Sequence, residues 1–199
     1  PCDVTDFAGT EDAIRRAAEG LGAIHFGINT AGGGIATRTL TKEGPHSLDA
    51  FRAVIDLNLV ASFNIARLQA DRMSRNEPDE NGERGVILMT ASIAAFEGQI
   101  GQVAYSAAKA GIAGMTLTMA RDLGSLGIRV VTIAPSLFHT GLTQGIPKDM
   151  EERLTRDAAF PKRMGRPEEY AHMARALFEN PMVNGLTLRL DGGQRFAPK

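Results

Sequence analysis

Cysteine is almost missing from this sequence. The single residue, Cys2, can form no internal disulfide and cannot supply a multi-cysteine metal site. That excludes a disulfide-stapled secreted scaffold and points to a reducing, cytoplasmic setting. No apolar run approaches the roughly 20 residues that a bilayer-spanning helix needs. Charge of one sign is also lacking. The 22 Lys+Arg balance 23 Asp+Glu to a net charge of -1, which gives no field for nucleic acid or for an anionic membrane surface. Internal repeats, low-complexity tracts and long linkers are absent, so residues 1–199 read as one domain. What is present suits a packed core: 43% of residues are hydrophobic and 23% charged. The chain opens Pro1-Cys2-Asp3 with neither an initiator Met nor a signal peptide, which points to a start partway into something longer.

Short apolar runs alternate with helical patterns, predicting an α/β fold with a parallel sheet. A helix is expected from Thr10 to about Gly20, and a strand over Ala23–Ile28 that ends in Asn29-Thr30-Ala31-Gly32-Gly33-Gly34. Ser47 is placed to cap one long helix reaching about Met73. After a polar stretch over residues 76–85 comes the strand Gly85–Thr90, then a loop of small residues, then a helix over about 103–123. The strand Ile128–Ala134 stops at Pro135. An irregular segment continues to Pro161, with a short amphipathic piece near residues 150–156. A helix opening at Pro167 and a strand over Leu186–Leu190 complete the pattern. Four strands are few for a doubly wound sheet, whose usual build has two three-strand halves.

Tyr105 and Lys109 stand four apart in a helical pattern, so they share one face. A phenol titrates near 10 and is a poor base at neutral pH. A fixed ammonium nearby favours the phenolate, so Lys109 is expected to lower the Tyr105 pKa and allow proton exchange with a substrate oxygen. Taken alone the pair is weak evidence, because many surface helices place a solvated lysine beside a half-buried tyrosine. Ser92 comes after the carboxyl end of the Gly85–Thr90 strand, where ligands of open α/β sheets bind, and could polarise the same oxygen. Asn29 and its glycine-rich turn stand at another strand end, where backbone can approach a ligand closely. Asn58 is a lone polar residue in an apolar helix stretch, satisfied by backbone or by a buried water. Each residue has a bland reading, but together they converge on strand ends.

In order and spacing these residues resemble the short-chain dehydrogenase/reductase family: Asn29-Thr30-Ala31-Gly32, Asn58, Ser92, Tyr105-Ser106-Ala107-Ala108-Lys109 and Pro135. The stretches Arg75-Asn76-Glu77-Pro78-Asp79, Ala94-Ala95-Phe96-Glu97-Gly98-Gln99 and Glu168-Glu169-Tyr170-Ala171-His172 are similar to the type 2 3-hydroxyacyl-CoA dehydrogenase branch. The resemblance implies a Rossmann-like doubly wound sheet and hydride transfer with NAD, or else NADP, between 3-hydroxyacyl-CoA and 3-oxoacyl-CoA. It makes Tyr105 the general acid/base, Ser92 the holder of the substrate oxygen, Lys109 a ligand of the nicotinamide ribose, and Asn58 the anchor of a relay water. Asp3 and Val4 would lie beside adenine. Asn29, Ala31, Gly32, Pro135, Leu137, Phe138 and Thr140 would line the cofactor cleft, and Gln99 the substrate pocket. Residues 136–161 would form a substrate lid, and the helices at about 47–73 and 103–123 would pair copies into a homotetramer.

Several departures accompany the likeness. Ser136 stands where the family usually has glycine, so a position needing positive φ would be strained. Gly141 replaces a frequent proline and is expected to loosen the lid hinge. No Gly-x-x-x-Gly-x-Gly turn precedes Asp3. The expectation is that about the first fifty residues of a full enzyme, with their phosphate-binding turn, are missing from this sequence, leaving the Ala23–Ile28 strand with an open edge. Any organelle-targeting segment would have to sit there too, against the cytoplasmic reading. The competing functions are a 3-oxoacyl-carrier-protein reductase, a hydroxysteroid dehydrogenase and a non-catalytic fragment or interaction module. The four histidines show no ligand spacing, and Ser92 sits in no Gly-x-Ser-x-Gly elbow; metal and hydrolase readings are set aside.

Overall fold

The computed structural model describes residues 1–143 and 145–198. In chain order come α1 (Phe7–Leu21), β1 (Phe26–Asn29), the paired β2 (Leu40–Thr41) and β3 (Gly44–Pro45), α2 (Leu48–Ile55) and α3 (Ala61–Met73). Next are β4 (Gly85–Thr90), α4 (Val103–Gly124), β5 (Ile128–Pro135), α5 (Lys148–Thr155), α6 (Pro167–Glu179) and β6 (Thr187–Leu190). The main sheet is parallel with strand order β1-β4-β5-β6. Helices form every crossover between its strands, which is what parallel neighbours require.

The central strands β4 and β5 are mostly apolar on both faces because both faces are covered. Side chains alternate across the sheet. Ile87, Met89, Val130 and Ala134 face the cluster formed with Ala66, Ala70 and Met73 of α3 and Ile112 of α4. Val86, Leu88, Val131 and Ile133 face the other way, onto Ala174 and Leu177 of α6. All carboxyl ends of the strands therefore open at one rim of the sheet.

Where the structure departs from expectation, the causes are local. The β1 ladder begins at Phe26, not Ala23, and takes in Asn29. Among the described residues β1 pairs only with β4, so its other edge is open, as anticipated. Phe26 and Ile28, on the α6 side of this edge strand, are 56% and 49% exposed, and the Phe26 ring lies 4.8 Å from that of Phe178. The long helix is not uniform either: between α2 and α3 the turn Asp56–Val60 is a π-helix, closed by the Ala61 amide on the Asp56 carbonyl. Strands β2 and β3 went unforeseen, since two-residue strands carry no readable alternation. No non-glycine residue among those described has positive φ, so Ser136 is not strained.

One buried charge ties the back of the sheet together. Arg129, on β5, is 6% exposed. Its guanidinium donates to the carbonyls of Leu177, Phe178 and Val183 at 2.8–2.9 Å and pairs with the Glu83 carboxylate. It thus satisfies the last carbonyls of α6, which have no partner within the helix, and pins the polar 76–85 stretch to the sheet.

Candidate active site

Ser92 lies two residues beyond the end of β4. Its hydroxyl caps the short 3₁₀ turn Ile93–Ala95, accepting from the Ala94 amide at 3.1 Å. Opposite runs α4, which buries Ala104, Ala108 and Ile112 and thereby turns Tyr105 and Lys109 toward the rim. Lys109 is 3% exposed, and its Nζ donates to the Thr90 carbonyl at 2.9 Å. That Nζ also lies 5.5 Å from the centre of the Tyr105 ring.

The glycine-rich turn completes the group. Asn58, fully buried in the π-helical turn, accepts from the Gly33 amide at 3.1 Å and donates to the Gly33 carbonyl at 2.7 Å. Its amide also donates to the Val54 carbonyl one turn back, at 2.8 Å. A Cβ at Gly32 would come within 2.6 Å of Asn58 Oδ1 and 3.1 Å of Lys109 Nζ, and one at Gly34 within 3.1 Å of the Tyr105 ring. Glycine here lets backbone lie directly along the Tyr105–Lys109 face. Five sequence-selected residues (Gly32, Asn58, Ser92, Tyr105 and Lys109) thus meet at one rim.

Asn29 is held apart from them. Its amide forms a reciprocal pair with the Gln69 side chain on α3, at 3.1 and 3.2 Å, both residues being buried. A Cβ at Gly27 would fall 2.4 Å from the Gln69 side chain, so Gly27 makes the room for it. Sequence reading missed Gln69, since nothing near it in the chain marks its partner. Replacing Gln69 with Leu strands the Asn29 amide in the core and is expected to cost about 1–3 kcal/mol, read as a lower urea midpoint at unchanged slope.

The remaining candidates border the group or lie away from it. Pro135 ends β5, and the Leu137 carbonyl accepts from the Gly165 amide at 2.9 Å. The Phe138 ring lies against Gly165, where a Cβ would come within 2.5 Å, and Thr140 closes a turn onto Thr143 Oγ1 at 2.8 Å. Ala31 is exposed on the turn. Gln99 lines a cleft of about 540 Å³ with Arg38, Ile100, Val103 and Ser106. Its amide donates to the Ala197 carbonyl at 3.2 Å, so the C-terminal tail forms part of that wall. Asp3 and Val4 precede α1, where the Asp3 carboxylate accepts from Thr5 at 2.7 and 2.9 Å. Among the described residues no hydrogen bond joins either to the rim.

The electrostatics correct one expectation. Lys109 is not what lowers the Tyr105 pKa here: burial pushes the phenol up, and the neighbouring Ser92 hydroxyl pulls the other way. Burial also brings Lys109 down to about 8 from 10.5. A lysine with a depressed folded pKa is costly to keep charged, so stability rises as pH climbs from about 8 toward 10.5. Lys109→Met is therefore expected to stabilise the fold at neutral pH by about 2 kcal/mol. Thermal unfolding of variant and parent at pH 7 and pH 10 checks both sign and window. No three His, Cys, Asp or Glu converge among the described residues, and no helix described is long and apolar enough to cross a membrane.

Comparison with known proteins bears on this rim. Residues 1–195 match the family model described as Enoyl-(Acyl carrier protein) reductase. The human protein named 3-hydroxyacyl-CoA dehydrogenase type-2 is 48% identical over all of this chain and 77% of its own length. The Drosophila melanogaster protein of the same name is 46% identical over all of this chain and 78% of its own. A crystal structure of 3-hydroxyacyl-CoA dehydrogenase type-2 from Mycobacterium avium superposes with a TM-score of 0.95 at 44% identity, covering all of this chain and 78% of that one. A 7α-hydroxysteroid dehydrogenase complexed with NADH and 7-oxo glycochenodeoxycholic acid gives a TM-score of 0.85 at 29% identity, covering 100% and 74%.

Proposed function

Because the chain belongs to the short-chain dehydrogenase/reductase family, we propose that it oxidises a 3-hydroxyacyl-CoA to the 3-oxoacyl-CoA, with NAD as the hydride acceptor. The family is one of oxidoreductases, and the relatives from human and Drosophila melanogaster carry the 3-hydroxyacyl-CoA dehydrogenase type-2 name over the full length of this chain. The observation that carries the reading is the placement of Ser92, Tyr105 and buried Lys109 around one end of β4.

The residues present fit the nicotinamide-ribose half of a dinucleotide. Lys109 has three N–H donors and spends one on Thr90, and Gly32 leaves its backbone open directly beside it. The remaining donors suit a ribose diol. A nicotinamide held there by Lys109 and the Gly32 turn would supply the acceptor for the hydride leaving the substrate carbon. Tyr105 takes the hydroxyl proton at its phenolic oxygen, and Ser92 holds the substrate oxygen in place. Lys109 would hold the ribose rather than tune the phenol, and Asn58 fixes the turn through Gly33, where a relay water would sit. Residues 136–161, including α5, would act as the lid that excludes water, and the cleft beside Gln99 would take the acyl part. Asp3, Val4, Asn29, Ala31, Pro135, Leu137, Phe138 and Thr140 would border the cofactor, Asn29 through its strand end.

The test is turnover of the full-length protein on short and long 3-hydroxyacyl-CoA with NAD and with NADP, monitored by absorbance of the reduced cofactor. Oxidation with preference for NAD is expected. No turnover of any 3-hydroxyacyl thioester with either cofactor overturns the reading. Static light scattering should give four copies, joined through α2–α3 and α4; a monomer refutes that assembly.

A further inference from the structure

The second tyrosine of the chain, Tyr170, sits on the opposite side of β4 from the first, and nothing in the proposed chemistry uses it. Helix α6 packs Ala174 and Leu177 onto the sheet, and Tyr170 stands one turn before Ala174 on the same face. Its hydroxyl shares a hydrogen bond of 2.7 Å with Thr90 Oγ1. Its ring meets Phe138 edge-on, with centres 6.3 Å apart and planes at 89°. Thr90 is the residue whose carbonyl holds Lys109 Nζ, and Ser92 comes two residues after it.

We propose that Tyr170 is a positioning residue of the catalytic centre: its hydroxyl fixes Thr90, and so the seats of Lys109 and Ser92, while its ring braces the Phe138 segment. A phenylalanine would fill the same space against the sheet, so packing alone does not call for the hydroxyl. The single side chain joins both halves of the site, the proton-transfer end at β4 and the segment after β5. Burial keeps its phenol protonated, since it raises the pKa against the opposing pull of Thr90. It is thereby held as a neutral hydrogen-bonding group and takes no part in proton exchange.

The inference rests on the dehydrogenase reading, and its two ends are separable. Tyr170→Phe keeps the ring and loses the hydroxyl: kcat should fall about tenfold, because a small misplacement of catalytic groups is costly. NADH affinity, measured by fluorescence titration, should stay within about twofold. Tyr170→Leu loses both contacts and should weaken NADH binding as well, by about fivefold. Thr90→Val removes the same hydrogen bond from its other end. It should reproduce the kcat loss and add nothing to Tyr170→Phe, since both break one link; it also carries the test if a Tyr170 variant fails to fold. A role in stability alone would lower the melting temperature and leave kcat below it unchanged. Parent-like kcat in folded Tyr170→Phe, or losses that multiply in the double variant, overturns the proposal. An unchanged NADH affinity in Tyr170→Leu overturns its second half. A parent protein that turns over no substrate condemns the dehydrogenase reading instead.

Discussion

Tyr105→Phe should reduce turnover by about 10³-fold while NADH still binds, because the substitution removes the hydroxyl proposed as acid/base and little else. The ring volume is kept, and its contact with the Gly34 backbone, where a Cβ would come within 3.1 Å, is made by carbon atoms that phenylalanine also has. Among the described residues the phenol ties no other element in place, so the melting temperature should hardly move. Fluorescence titration of NADH and steady-state kinetics on the same preparation separate the two outcomes. Turnover within tenfold of the parent would show that another group moves the proton.

Arg129→Met should be the most damaging single change to the fold, at about 3–5 kcal/mol, since breaking a buried ion pair leaves the other charge uncompensated. The loss has two parts. The carbonyls of Leu177, Phe178 and Val183 lose their donor, and Glu83 loses its counter-ion while only 18% exposed. Methionine fills the stem but supplies no donor. Urea denaturation checks the size, and Glu83→Gln, which keeps an acceptor for the guanidinium, should cost clearly less. Equal losses in the two variants would mean that the carbonyls contribute nothing.

The residues proposed to be catalytic are legible because they lie in a fixed order along the chain. Tyr105 and Lys109 are joined by helix geometry, and Ser92 by its place after an apolar strand. The partners that hold them were not. Gln69 meets Asn29, and Tyr170 meets Thr90, only once distant elements pack. The direction of the Tyr105 pKa was misjudged for a related reason: spacing shows that an ammonium is near, whereas burial, which dominates, is a property of the packed rim. Strand β1 was misplaced because its start is set by pairing with β4, and Ala23–Ile24 is as apolar as the Phe26–Ile28 segment that does pair.

The π-helical turn makes this protein intolerant of a change in length that most helix surfaces would absorb. Each helical residue turns the chain by about 100°. The widened turn at Asp56–Val60 therefore sets the phase between the part that presents Asn58 to Gly33 and the part that presents Ala66, Ala70 and Met73 to the sheet. Losing one residue there would close the wide turn into a regular helix, and the swollen backbone from which Asn58 reaches both the Gly33 amide and the Gly33 carbonyl would go with it. The turn is thus a constraint on chain length at the site: a substitution outside Asn58 can keep the wide ring, but the loss of a residue cannot.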